Sequence, residues 1–269
     1  MDETIKDHAD AGIIERIHNL DQYLNDHPEH SFLPHMGIFK LDRETSKCRI
    51  VFLSNLREQD KSHKLCISHN QAMYAGPTLN QKLSSALLQL RFGEHLLTYD
   101  LKKAFNQLAL STSDQSKLLF LWFKNIDKND FSIVAYKNVR LSFGLRCSPF
   151  LLMVSLFRML VLDSESDPSD LKVLKNLMYS LLYMDNGAIT ADSVQELNDA
   201  YEKLPHIFSP YHFQVQQLNT NNNVLQIQID QDYHQETADR VKLLGLTWDR
   251  RADTLFTKPI NLDITADTK

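Results

Sequence analysis

The sequence predicts an α+β fold, an antiparallel sheet backed by helices on one face, and three observations carry that prediction. Helical and strand-like segments both occur, yet they do not alternate strictly as βαβ units would require. Leucines and alanines recur at helical spacing between the strand-like runs, as in Leu79, Leu83, Ala86, Leu87 and Leu90. Two short apolar strands each end on an aspartate, residues 96–99 before Asp100 and residues 181–184 before Asp185.

Taken in order, Ile5, Ala9, Ile13, Ile17 and Leu20 mark one face of an N-terminal helix within residues 1–30. Residues 36–41 and 49–53 read as strands joined by a polar hairpin loop at 42–47. Gly76-Pro77 marks a turn before the helical leucines. Residues 95–101 form a buried strand, and 117–126 and 131–139 two more around a polar turn. Ser148-Pro149 opens a helix that runs to about Leu162, with proline suited to its first turn. After a polar linker at 163–170, a helix at 171–179 leads into a strand at 180–184 and then Asp185-Asn186-Gly187. Ser193 and Glu196 have capping-box spacing and start a helix reaching about His206. Residues 241–248 and 254–257 are expected as two strands around the charged turn 249–253.

Composition sets few limits. The 269 residues are 43% hydrophobic and 23% charged, as in an ordered globular chain. A net charge of -5 gives no general attraction to a polyanion, so any such partner must be held by local basic surface. Cys48, Cys66 and Cys147 are odd in number and lack CxxC spacing, which excludes a zinc site and a disulfide framework. They are expected as reduced thiols packed like small apolar groups. His8, His18, His27 and His30 cluster without metal-ligand spacing and are expected to be solvated or loosely packed. No signal-peptide h-region or membrane-length apolar run is found, so a soluble intracellular protein is expected.

Asp100 and Asp185 are the residues with chemistry to explain. Two apolar strands lying side by side would bring these carboxylates to one point, where like charges repel unless a cation sits between them. Magnesium suits such oxygen donors, and metal-held carboxylates serve phosphoryl transfer.

The surrounding motifs narrow the reading. Asp100-Leu-Lys-Lys-Ala-Phe105-Asn-Gln107 resembles the first catalytic motif of reverse transcriptases. Leu141-Ser-Phe143-Gly144-Leu-Arg-Cys-Ser148-Pro149-Phe150 resembles their nucleotide- and template-contacting motif, and Tyr183-Met184-Asp185-Asn186 resembles the YxDD hairpin. Phe32-Leu33-Pro34-His35, Lys47-Cys-Arg49-Ile-Val-Phe, Tyr74-Ala-Gly76-Pro77 and Leu243-Leu244-Gly245-Leu246-Thr-Trp248 are similar to the BEL/Pao group of LTR retrotransposons. The resemblance implies a right-hand polymerase with part of the fingers at 31–92, a palm with a fingers insertion at 93–240, and a primer-grip-like hairpin and tail at 241–269.

It also implies roles. Asp100 and Asp185 would hold Mg2+, or Mn2+ in its place, with Asn186 completing the catalytic hairpin. Lys47 and Arg49 would neutralise the incoming triphosphate, Phe105 would exclude a ribose 2'-hydroxyl, and Gly144 and Ser148 would approach the nucleotide. Tyr183, Met184, Gly245 and Trp248 would contact template–primer, so the implied partners are an RNA or DNA template–primer and a deoxynucleoside triphosphate. Structural alternatives stay open: Phe105 and Trp248 as packed aromatics, Lys47 and Arg49 as solvated charge, Gly144 and Pro149 as turn and helix-start residues.

The sequence departs from the family in places. Asn186 stands where a second aspartate is usual; it keeps the shape but removes a charge, so metal affinity and rate should fall. Gln217 lies near the place of a lysine suited to protonating pyrophosphate, and glutamine cannot do so. Leu53 falls where relatives often have an acid. Protease, RNase H and integrase patterns are absent from the sequence, and no thumb is expected after the last hairpin, which fits a fragment of fingers and palm; for Asn186 a decayed element copy is favoured over a deliberate substitution or a domesticated protein that kept the fold. A catalytically silent nucleic-acid-binding remnant is the alternative; Phe105 disfavours an RNA polymerase on a similar palm.

Overall fold

In the computed structural model, which describes residues 1–39, 48–57, 66–126 and 130–257, the N-terminal apolar face is split between a helix and a strand. Helix α1 (Asp2–Asp10) ends because Gly12, at φ +63°, takes a left-handed conformation. Gly12 N–H then donates to the Ala9 carbonyl at 3.0 Å and Ile13 N–H to that of His8 at 2.9 Å, a Schellman closure. The expected single helix is therefore corrected to α1, strand β1 (Ile14–Ile17) and helix α2 (Leu20–Asp26). Ile14 and Ile17 are buried at the two ends of a strand, a three-residue spacing that sequence periodicity reads as helical.

Strands β2 (His35–Phe39) and β3 (Cys48–Phe52) follow, then the short helix α3 (His69–Ala72), helix α4 (Leu83–Gln89) and strand β4 (His95–Leu101). Short helices α5 (Ala104–Gln107) and α6 (Thr112–Gln115) precede strands β5 (Leu119–Asn125) and β6 (Asp130–Asn138). Helix α7 (Ser148–Leu160) starts at the expected serine and proline, and helix α8 (Ser169–Ser180) follows a 3-10 turn. Strand β7 (Asn186–Ala191), helix α9 (Val194–Phe208), strand β8 (Val215–Thr220) and helix α10 (Asn223–Asp232) lead to strands β9 (Arg240–Leu243), β10 (Leu246–Asp249) and β11 (Thr254–Phe256). The strand expected at 180–184 is absent: α8 runs to Ser180, and only Tyr183 makes a bridge, to Asn186. The run at 241–248 is cut in two, because Leu244 and Gly245 both have positive φ and form a tight turn between β9 and β10.

The chain divides into two units, Met1–Leu79 with Lys103–Ser155, and Asn80–Lys102 with Leu156–Lys269. All pairings between these strands are antiparallel, but they make four small sheets rather than the single sheet expected. In the first unit, β1, β6 and β5 form one sheet and β2 and β3 a hairpin whose connecting loop lies outside the described residues. Phe52 and Phe120 meet edge to face at 5.4 Å, and Phe120 stacks on Tyr136. Ile17, Leu119 and Ala135 bury against Leu20, Tyr23 and Leu24 of α2.

In the second unit the central sheet has the order β7-β4-β8. One face of β4, carrying Leu97, Tyr99 and Leu101, is covered by α9, whose Leu197, Ala200, Leu204, Ile207 and Phe208 recur at helical spacing and are buried. The N-cap of α9 forms half as expected, with the Ser193 hydroxyl accepting from Glu196 N–H, while the Glu196 carboxylate accepts from Asp192 N–H instead of the cap residue's own. On the opposite face, Leu96 and Ala188 join Leu90, Leu181, Leu243 and Trp248 in a core cluster that ends short of Asp100. The tip of this face therefore stays partly open, with Asp100, Asn186 and Gln216 half-buried.

Cys48 is buried and Cys147 half-buried, but Cys66 is exposed, which corrects the expectation that all three pack inside. Among the described residues no helix is long and apolar enough to cross a membrane.

Candidate active site

β4 is the middle strand of its sheet, and from Leu96 to Tyr99 its residues are all buried, apolar or aromatic apart from Thr98. Asp100 is the first charged position, directly opposite Asn186 of β7 and also opposite Gln216 of β8. Directly opposed residues of an antiparallel pair share a face, so Asn186, Asp100 and Gln216 form a row across the three strands. The Gln216 amide donates from Nε2 to Oδ2 of Asp100 at 2.6 Å.

Asp185 sits in the two-residue turn that leads into β7. Tyr183 N–H donates to the Asn186 carbonyl at 2.8 Å and Asn186 N–H to the Tyr183 carbonyl at 3.1 Å, which closes the turn. Met184 occupies it at φ +60°, a conformation usual for glycine and costly for a long side chain. The turn is tied in place: Leu101 N–H of β4 donates to the Asp185 carbonyl at 2.8 Å, and the Asn80 amide reaches the Met184 sulfur. The expected hairpin tip is present, although one bridge residue replaces the expected strand before it. The Asn186 amide donates from Nδ2 to Oδ1 of Asp185 at 3.1 Å. Asp100, Tyr183, Met184, Asp185 and Asn186 are thus brought together within the second unit.

The other predicted residues of this unit serve the fold. Trp248 is fully buried in the core cluster, and its indole N–H donates to Oδ1 of Asp253 at 2.9 Å. This burial fits the packed-aromatic alternative for Trp248. Gly245 takes the second left-handed position of the β9–β10 turn, φ +86°.

In the first unit, the Arg49 guanidinium is exposed and lies 5.8 Å from the centre of the Phe143 ring. Phe105 is buried and meets the same ring edge to face at 4.9 Å. Gly144, at φ +101°, runs so close to β3 that a Cβ would lie 2.1 Å from the Phe52 carbonyl oxygen. That approach by itself demands glycine here. The Asn70 amide fixes the same loop, donating to the Gly144 carbonyl at 3.0 Å and accepting from Arg146 N–H at 2.8 Å. Ser148 is buried with its hydroxyl donating to the Ser142 carbonyl at 2.8 Å. Lys47 lies outside the described residues.

Sequence reasoning missed Gln216 and chose its neighbour Gln217. Thr98 pairs with Asn219 but Asp100 with Gln216, so β8 carries one extra residue, and Gln217 absorbs it at φ +52°. An unbroken register would have set Gln217 opposite Asp100. A bulge on a glutamine leaves no mark in a hydrophobic pattern, and no signal in the sequence would have exposed it.

No protein-family model matches the chain, and no curated protein does. Solved structures do. A foamy viral protease-reverse transcriptase in complex with double-stranded DNA is similar over 93% of this chain and 33% of its own, at 16% identity and a TM-score of 0.58. A further structure of the foamy viral protease-reverse transcriptase with double-stranded DNA matches over 91% of this chain and 39% of its own, at 16% identity and TM-score 0.56. The native prototype foamy virus protease-reverse transcriptase matches 78% of this chain and 22% of its own, at 17% identity and TM-score 0.52. The chain spans between about a fifth and two fifths of the length of these structures. The chain has a reverse-transcriptase-like fold of helices and antiparallel sheets.

Proposed function

We propose that the chain is the fingers-and-palm part of a reverse transcriptase of the BEL/Pao type, with RNA-directed DNA synthesis as its chemistry. The observation that carries this reading is the placement of Asp185, in a strained and tethered turn, beside Asp100 at the uncovered end of the central sheet. The fold of the foamy viral neighbours and the double-stranded DNA in two of them support it. In this reading residues 31–92 belong to the fingers, 93–240 to the palm with its fingers insertion, and 241–269 to a primer-grip-like hairpin and tail, as in a fragment of a longer polyprotein.

The donor set fits one hard cation shared with phosphate. Asp100 and Asp185 offer carboxylate oxygen, the chemistry that magnesium takes, but no group of three or more His, Cys, Asp or Glu suited to a metal occurs among the described residues. Asp100 and Asp185 would hold Mg2+, with Mn2+ as a substitute. When bound, the ion neutralises charge on the transferring phosphoryl group and acidifies the primer 3'-hydroxyl. The primer 3'-hydroxyl gives its proton to solvent, its O3' bonds to the α-phosphorus of the deoxynucleoside triphosphate, the α–β phosphoanhydride bond breaks, and pyrophosphate leaves. Around this step Arg49, with Lys47, would neutralise triphosphate charge, Phe105 would bar a ribose 2'-hydroxyl, and Tyr183 and Met184 would lie at the primer end.

A second reading rests on the amides. Asp185 accepts from Asn186 and Asp100 from Gln216, so neutral side chains attend both carboxylates. A chain that binds template–primer without extending it fits that environment. Template–primer binding and extension of oligo(dT) on poly(rA), with Mg2+ or Mn2+, separate the two. Extension by the unaltered chain supports the polymerase reading, binding without extension supports the silent one, and no binding at all sinks both.

A further inference from the structure

We propose that Gln216 is a positioning residue for Asp100 and sets the affinity of the Asp100–Asp185 pair for a divalent cation. The inference rests on the reading above that Asp100 is a cation ligand. Three observations support it. Gln216 stands directly opposite Asp100 across β4 and β8, and its Nε2 donates to Oδ2 of Asp100 at 2.6 Å. The contact exists only because β8 carries a bulge, with Gln217 held at φ +52° where a side chain is disfavoured. The two side chains meet at the end of the face that carries the Trp248 cluster, beyond the last residues the cluster covers.

The chemistry follows from the bond. An amide N–H donating to one carboxylate oxygen fixes the rotation of the carboxylate about its Cβ–Cγ bond. A carboxylate already oriented loses less freedom when a cation arrives, and partners of this kind tune metal affinity nearly as strongly as the ligands themselves. Asn186 does the corresponding task for Asp185, donating at 3.1 Å from the opposite side of the row. Gln216 carries no charge, so its contribution is geometric. Removing its amide should therefore weaken binding even though it takes away a competitor for the Asp100 oxygen.

The test is a Mn2+ titration of the whole chain, followed by the electron paramagnetic resonance signal of free Mn2+. Four variants are compared with the unaltered chain: Asp100→Asn, Gln216→Leu, Gln216→Asn and Gln217→Leu. Gln216→Asn keeps an amide but is one methylene too short to reach, and it covers the case in which leucine disturbs the strand; melting curves check that each variant is folded. The expected result is loss of the site in Asp100→Asn, an affinity about tenfold lower in both Gln216 variants, and no change in Gln217→Leu. If both Gln216 variants bind as the unaltered chain does while Asp100→Asn does not bind, the positioning role is overturned and the cation reading survives. If no Mn2+ binding depends on Asp100, both are overturned.

Discussion

Tyr99 lies directly across from Gly187, and its ring fills the space that a side chain at 187 would need. A Cβ on Gly187 would come within 2.2 Å of the ring's Cζ. The ring cannot retreat, since Phe208 of α9 meets it edge to face at 5.5 Å and Tyr99 is 2% exposed. Gly187→Ala is therefore expected to destabilise the chain by about 3 kcal/mol, the upper range for overpacking a core. Urea unfolding checks it; a loss below about 1 kcal/mol would show that the sheet yields at this point.

The same ring carries an anomaly. The Tyr99 hydroxyl is buried and has no hydrogen-bond partner among the described residues, and burial pushes its pKa well above the usual tyrosine range. An unmade hydrogen bond costs about 1–3 kcal/mol, so Tyr99→Phe should stabilise the chain by about 1 kcal/mol. A lower melting temperature in the phenylalanine variant would mean that the hydroxyl has a partner after all.

His8 gives the first unit a pH dependence. Burial pushes its pKa down from 6.5 to about 4; nearby Lys103 acts in the same direction, and Asp7 opposes it weakly. Its folded pKa lies below the unfolded value, so the neutral ring contributes stability that is fully present above pH 6.5 and is lost as pH falls towards 4. Partial solvent access limits the effect to about 2 kcal/mol. In His8→Phe the fall in stability between those pH values should shrink by that amount, as read from urea midpoints across the range. An unchanged pH profile would contradict the assignment.

Trp248 offers a test of structural against ligand-binding roles. Trp248→Phe removes the indole bond to Asp253, a carboxylate that also accepts from Arg91 at 3.0 Å. Lost volume and a lost bond together should cost about 2–3 kcal/mol. Template–primer affinity, measured well below the melting point, should stay as it was. A selective loss of affinity with unchanged stability would support the primer contact over the packing role.

How much of this was legible in the sequence depends on how local each cause is. β4 was readable to the residue, because its apolar run, its terminal acid and its flanking turns all lie within a few positions. So was the start of α7, where serine and proline act on the first turn alone. The N-terminal segment misled because Ile13 and Ile17 keep helical spacing while Gly12 between the two halves ends the helix. The β9–β10 turn was missed because Leu244 supplies one of its two left-handed positions, a residue that marks no turn. At the candidate site, the strand that carries Asp100 and the turn that carries Asp185 were legible from short motifs. Gln216 was not, since its place opposite Asp100 depends on a bulge between strands more than a hundred residues apart.

Asp100 and Asp185 are proposed as a nucleotidyl-transfer centre in which Asn186 stands where a second charge would. Single-turnover extension of a template–primer by an Asn186→Asp chain, with and without Asp100→Asn, tests it most directly. Primer extension by Asn186→Asp is expected at a rate at least tenfold above the unaltered chain, and none when Asp100→Asn is added. Extension that persists without the Asp100 carboxylate, or an Asn186→Asp chain that binds template–primer and adds no nucleotide, would contradict it.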